Sequence, residues 1–82
     1  MFYVYLLQSL KDKSFYIGQT HNVEKRLERH NNGLVRSTKN KVPWALIGRE
    51  EYSNRNDARW REYDLKEHSD KKRKFIDKLT LP

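Results

Sequence analysis

Two short runs near the start of the chain leave it little freedom in how to fold. Phe2 to Gln8 (Phe-Tyr-Val-Tyr-Leu-Leu-Gln) is aromatic and aliphatic, and Ser14 to Gly18 (Ser-Phe-Tyr-Ile-Gly) repeats that character after a polar break at Lys11-Asp12-Lys13. Both runs read as strands. A parallel crossover needs about a dozen residues or more, so the short gap predicts an antiparallel hairpin. Side chains alternate across a strand. Pairing Leu7 with Tyr16 puts Tyr3, Tyr5 and Tyr16 on one face and Phe2, Val4, Leu6, Phe15 and Ile17 on the other. A slip of one residue would undo that division.

The remaining elements follow from local signals. Asn22 is a good N-cap for a helix over Val23 to about His30. Val23 and Leu27 form its apolar contact, and Arg26 and His30, one turn apart, project from one face. Asn31-Asn32-Gly33 stops it, because Asn and Gly tolerate the left-handed conformation. Arg36 to Lys41 reads as a polar basic loop, and Pro43 holds Val42 extended. Trp44 to Tyr52 reads as a third strand interrupted at Gly48. Ser53 or Asn54 caps a second helix that runs to about Lys66 or His68, with Ala58 and Leu65 facing inward and Glu62 between them. Ser69 and Asp70 open a last helix that packs Phe75, Ile76 and Leu79. The order β-β-α-β-α-α predicts an α+β fold, a three-stranded antiparallel sheet flanked by helices. With no linker or repeat, residues 1–82 are expected to form one domain, its core over about 2–68 and its C-terminal helix over about 69–79.

Charge narrows the range of partners. Eighteen Lys and Arg against eleven Asp and Glu give a net charge of +7 on 82 residues, which favours nucleic acid or another anionic surface. The chain has no cysteine, so disulfides and thiolate metal sites are excluded. Met1 to Leu7 is apolar but short and has no basic segment before it, unlike a secretory signal. No run approaches the roughly 20 apolar residues of a membrane span. A soluble, cytoplasmic protein with no membrane role is expected, and the sequence identifies no protein partner.

Five side chains could do chemistry together. The phenols of Tyr5 and Tyr16, the Arg26 guanidinium, the His30 imidazole and the Glu62 carboxylate are groups that activate water, stabilise a phosphate under attack and hold a cation. Each also has a plainer reading. Tyrosines pack well on strands, Arg26 could be an ordinary exposed helix arginine, and His30 could satisfy its helix C-terminus. Glu62 could pair with Arg59, Lys66 or Arg26. It is the most telling of the five, because a carboxylate between two inward apolar residues is costly unless it meets a partner or a cation. A hard cation, Mg²⁺ or Mn²⁺, can be held by one carboxylate together with waters and substrate phosphate. Arg36, Lys39 and Lys41 are candidates for contact with a nucleic-acid backbone. His21 and His68 read as surface residues, and Lys71 to Lys74 as a solvated face.

In sequence order these residues resemble the GIY-YIG nuclease superfamily. Tyr3-Val4-Tyr5 stands at the first motif, with Tyr3 in place of its glycine, and Tyr16-Ile17-Gly18 matches the second. Asn22 to Asn31 is similar to the helix carrying the family's arginine and, four residues on, a histidine or tyrosine. Ala58 to Lys66 is similar to the helix carrying its metal-binding glutamate. Gly33 to Lys39 and Ala58 to Lys66 also resemble the small stand-alone bacterial UPF0213 proteins. The resemblance implies a metal-dependent endonuclease that hydrolyses phosphodiester bonds in nucleic acid, DNA in the first instance. On it, Glu62 would hold one Mg²⁺ or Mn²⁺ and Arg26 would stabilise the phosphoryl oxygens. Tyr16 or Tyr5, aided by His30, would take a proton from the attacking water. The alternative is a catalytically inactive nucleic-acid-binding module on the same scaffold. A third reading is an interaction protein whose phenols are only core. Whether duplex, branched, flap, single-stranded or RNA substrates are cut stays open at this point.

Overall fold

The computed structural model describes residues 1–81, and Pro82, the last residue of the range expected as one domain, lies outside the described residues. The elements run β1 (Phe2–Ser9), β2 (Phe15–Thr20), α1 (Val23–Asn31), a short 3-10 turn (Lys39–Lys41), β3 (Trp44–Tyr52), α2 (Arg55–Glu67) and α3 (Ser69–Thr80). The sheet has the order β2-β1-β3 with both pairs antiparallel. Leu7 lies opposite Tyr16, the expected register.

That register divides the molecule. On one face Val4, Leu6 and Ile17 pack with Ala58 and Leu65 of α2 and Phe75 of α3, all buried. On the other, Tyr5, Leu7 and Trp44 pack with Val23 of α1, flanked by Tyr3, Tyr16 and Leu27. Both inner helix starts are capped as expected: Asn22 Oδ1 accepts from the Lys25 amide at 3.0 Å and Asn54 Oδ1 from the Asp57 amide at 2.8 Å. Gly33, at φ 73°, takes the left-handed conformation after α1. Asn31 then clamps the end of α1 to the start of β3, donating to the Trp44 carbonyl at 3.0 Å and accepting from its amide at 2.6 Å.

Two segments differ from expectation. β3 is not interrupted at Gly48. Leu6 faces Gly48 while Leu7 faces Leu46, so Ile47 is an extra residue in the ladder and the strand bulges there. Gly48 serves packing instead, since a Cβ there would come within 3.0 Å of Leu79 Cδ2 on α3. The loop from Arg36 to Lys41 is polar as expected but not exposed throughout: Thr38 is buried between exposed neighbours.

The α2/α3 side carries one shielded charge. Glu50 accepts from Arg61 Nε at 3.0 Å, Lys78 Nζ at 2.8 Å and Tyr52 Oη at 2.8 Å, which ties β3 to both helices. Burial pushes its carboxyl up, but the hydrogen bonds from Arg61, Lys78 and Tyr52 outweigh that and bring it down to about 2. Among the described residues no helix is long and apolar enough to cross a membrane.

Candidate active site

The face of the sheet under α1 is an aromatic layer with a hydrogen-bond chain running through it. Tyr5 and His30 are buried, and Tyr5 Oη lies 3.0 Å from His30 Nε2. His30 Nδ1 lies 2.7 Å from Thr38 Oγ1, which itself donates to the Val35 carbonyl at 3.3 Å. A hydroxyl has one proton to give. Thr38 spends it on Val35, so its oxygen accepts from His30 Nδ1–H. That tautomer leaves Nε2 as the acceptor for the Tyr5 hydroxyl. Burial, aided by the Arg26 and Arg29 charges, lowers His30 to about 4. Burial raises the Tyr5 phenol to about 12, with Arg26 pulling the other way. Both groups are therefore neutral near pH 7, as the chain of hydrogen bonds requires.

Gly18 makes room for this arrangement. A Cβ at residue 18 would sit 2.3 Å from Tyr5 Oη, so the third residue of Tyr16-Ile17-Gly18 has to be glycine for the Tyr5 ring to lie across β2. Trp44 closes the layer from β3: its Nε1 donates to the Thr38 carbonyl at 3.0 Å, and its ring centroid is 6.2 Å from that of Tyr16.

Above the buried pair the side chains reach solvent. The Tyr16 ring lies 5.0 Å from that of His30 and 6.4 Å from that of Tyr5, edge-on or tilted, and is partly exposed. Lys66 of α2 places its ammonium 5.1 Å from the Tyr16 ring centroid, within cation–π range. Arg26 is also partly exposed, yet its Nε is buried without a hydrogen-bond partner. An unpaired buried donor is costly, and a ligand bringing acceptor oxygens would relieve it. Glu62 Oε2 accepts from Lys66 Nζ at 2.9 Å, and the Glu62 side chain keeps 25% of its surface exposed. The charges of Arg26 and Glu62 both reach the Tyr5 phenol. The fold thus gathers Tyr5, Tyr16, Arg26, His30 and Glu62 from four elements, two of them buried beneath three that solvent touches.

Several partners were not legible as part of this cluster. Thr38 fixes the His30 tautomer from a loop that reads as uniformly basic. Lys66 suggests itself as a partner for Glu62, and nothing local shows that it also lies over Tyr16. Arg36, Lys39 and Lys41 are exposed as expected, but Lys41 pairs with Asp12 in the β1–β2 turn at 3.6 Å. His21 and His68 are exposed. Lys71, expected in a solvated face, bonds the Asp64 carboxylate at 3.0 Å.

For a metal, the donor set is small. Among the described residues no three His, Cys, Asp or Glu side chains gather as a cluster, which excludes an all-protein cage there. Glu62 alone suits a cation of the magnesium kind, which keeps most of its waters and needs one or two carboxylates beside substrate phosphate. Its ion pair with Lys66 is open to solvent, the lysine side chain being 43% exposed, so a cation could compete for it.

Comparisons with known proteins agree with this architecture. The family model described as the GIY-YIG catalytic domain matches residues 1–75. A UPF0213 protein of Clostridium perfringens is 43% identical over 67 residues, covering 80% of this chain and 71% of its own length. One from Staphylococcus haemolyticus is 41% identical over 68 residues, covering 82% of each. The solution NMR structure of a UPF0213 protein from Bacillus halodurans superposes with a TM-score of 0.60 at 29% identity, covering 100% of this chain and 89% of that one. With its motifs, its sheet order and these relatives in agreement, the chain belongs to the GIY-YIG family, among its UPF0213 proteins.

Proposed function

We propose that this protein is a divalent-metal-dependent endonuclease that hydrolyses phosphodiester bonds in DNA. The observation that carries the reading is the composition of the exposed rim. A reachable phenol (Tyr16), a guanidinium with an unpartnered buried Nε (Arg26) and a carboxylate (Glu62) stand together over a neutral, hydrogen-bonded Tyr5–His30 pair. Arg26 offers a phosphate the forked donors that suit two of its oxygens and stabilises the charge that builds on them under attack. Tyr16, which water can reach, acts in its phenolate form: it accepts the hydrogen bond and then the proton of the water that adds in line to phosphorus, and becomes the neutral phenol. The bond to the leaving oxygen breaks on the opposite side. Tyr5 and His30 position that ring and keep water out from beneath it. Glu62 would hold one Mg²⁺ or Mn²⁺, which when bound supplies Lewis-acid stabilisation of the leaving oxygen. Arg36 and Lys39, exposed on the loop after α1, and Lys41 beyond them would contact the nucleic-acid backbone.

The Glu62–Lys66 ion pair favours a second reading: with its acid satisfied by a lysine, the scaffold holds nucleic acid without cutting it. Binding through phosphates weakens steeply with salt under both readings, so cleavage separates them. The test is a panel of labelled duplex, flap, single-stranded and RNA substrates with Mg²⁺, Mn²⁺ or EDTA, run beside Arg26→Ala and Glu62→Gln. Metal-dependent cutting of DNA that falls by roughly a hundredfold or more in each variant supports the endonuclease. Binding without cutting under every metal supports the module.

A further inference from the structure

The second helix carries a feature the proposed chemistry does not use. Trp60 and Tyr63 are 70% and 50% exposed. Their ring centroids lie 5.6 Å apart with planes 36° from parallel. Together with Asn56 and Arg59 they line an open groove of about 350 Å³. Large rings left side by side in water usually mark a surface that something covers. We propose that this groove is a stacking platform for an unpaired DNA base, placed beside the phosphate that is cut, so that the substrate is DNA with a single-stranded segment at the cleavage site. The proposal rests on the endonuclease reading for the position of the scissile phosphate, but not for the platform itself.

Three observations point to a nucleotide. First, the groove offers aromatic faces with a guanidinium on the same wall, and a base joined to a phosphate asks for both. Second, its position fits. At about 100° per residue Arg59 and Tyr63 stand about 60° and 100° round α2 from Glu62, so the near edge of the groove adjoins the stripe that carries Glu62 and Lys66, while Trp60, about 160° from Glu62, forms its far edge. Third, charge disfavours a second copy of the chain as the occupant. Each copy carries +7, and the contact would bring two Arg59 side chains to one apolar seam. A polyanion gains where a second copy is repelled. Stacking also asks for an extruded or unpaired base, because the faces of a paired base inside a duplex are already covered.

The two tryptophans make the test direct. Trp44 is buried and Trp60 exposed, so Trp60 reports on the platform while Trp44 serves as an internal reference. The full-length protein is titrated in EDTA with an oligothymidine on the order of ten nucleotides, a duplex of equal length and an oligouridine. The oligothymidine is expected to quench Trp60 and to bind more tightly than the duplex. Trp60→Ala with Tyr63→Ala should weaken that binding roughly tenfold to a hundredfold while leaving the circular dichroism and duplex binding unchanged. Trp60→Phe, which keeps an aromatic face, should retain most of the affinity. Unchanged Trp60 emission on binding, equal affinity of wild type and the double variant for the oligothymidine, or tighter binding of the oligouridine would each overturn the proposal. Self-association through the groove would overturn it too. If the platform behaves as expected but no DNA is cut with Mg²⁺ or Mn²⁺, the platform stands and the endonuclease falls; cutting that ignores the double variant gives the converse.

Discussion

The two faces of the sheet are built from alternate residues of the same strands, yet they are put to different uses. The face under α2 and α3 is filled by Val4, Leu6, Ile17, Ala58, Leu65 and Phe75, and its one shielded charge, Glu50, is met on three sides. Among the described residues one polar atom on this face is left without a partner, Gln19 Oε1, on the same side of the sheet as Val4 and Ile17. The face under α1 instead stacks Tyr5, His30, Trp44 and Tyr16, threads a directed hydrogen-bond chain through them, and leaves Arg26 Nε unpartnered at its rim. A layer of this kind gives up some apolar burial to hold a phenol and an imidazole in fixed protonation states. The comparison teaches that the pleat separates the apolar core from the phenol–imidazole layer, while α2 serves both, packing Ala58 and Leu65 on one face and carrying Glu62 and Lys66 to the rim of the other. Changes on the α2/α3 face should be felt as stability, and changes on the α1 face as rate at the exposed Tyr16 but as stability at the buried Tyr5, His30 and Thr38.

The largest effect tests the first half of that division. Phe75→Ala removes a buried ring that spans α3 and the sheet and should cost about 3–5 kcal/mol of unfolding free energy. On so small a core this is a large share of the total. Urea titration measures it, and a loss under about 1 kcal/mol would show that α3 is loosely attached.

Glu50→Gln comes next. The carboxyl is held at about 2 when folded against an ordinary value of 4.5. The unfolded chain therefore binds more protons between those two values, and the stability Glu50 contributes is present above pH 4.5 and lost as the pH falls toward 2. Glu50→Gln should cost roughly 2–3 kcal/mol at neutral pH and flatten the acid limb of a melting-temperature profile. An acid limb unchanged by the substitution would place the acid sensitivity elsewhere.

On the other face the effects are smaller and more specific. Thr38→Val keeps the shape of Thr38 but removes the acceptor for His30 Nδ1–H, at a cost of about 1–2 kcal/mol. The pH dependence here has a different window. His30 stays neutral until about pH 4 when folded but protonates near 6.5 when unfolded, so stability falls as the pH drops from 6.5 toward 4. NMR of the imidazole through that range should show His30 titrating late in the wild type. A His30 that titrates near 6.5 in the folded protein would mean that it is not buried neutral.

How much of this was legible in the sequence depended on how far each cause lay along the chain. The hairpin was legible from its short gap, and the pairing of Leu7 with Tyr16, an assumption that alternation alone does not single out, is the one the structure has. The cap Asn22 was legible and the second cap was narrowed to Ser53 or Asn54, of which Asn54 bonds the amide three residues on. The residue types of the site were legible through their spacing and their likeness to a family. The bulge at Ile47 was not, because it arises from how β3 meets β1. Nor was the burial of Thr38, whose partners His30 and Trp44 come from a helix and a strand on either side of its loop. The position of Lys66 over Tyr16 depends on how α2 lies against the sheet, and no local pattern encodes it.

The division between a reachable and a buried phenol is tested most directly by single-turnover DNA cleavage with Tyr16→Phe and Tyr5→Phe compared side by side. The expected result is that Tyr16→Phe slows the cleavage step by roughly a hundredfold or more with little change in melting temperature, while Tyr5→Phe lowers the melting temperature and keeps the rate within about tenfold of wild type. A Tyr5→Phe protein that is dead beside an active Tyr16→Phe protein would contradict it.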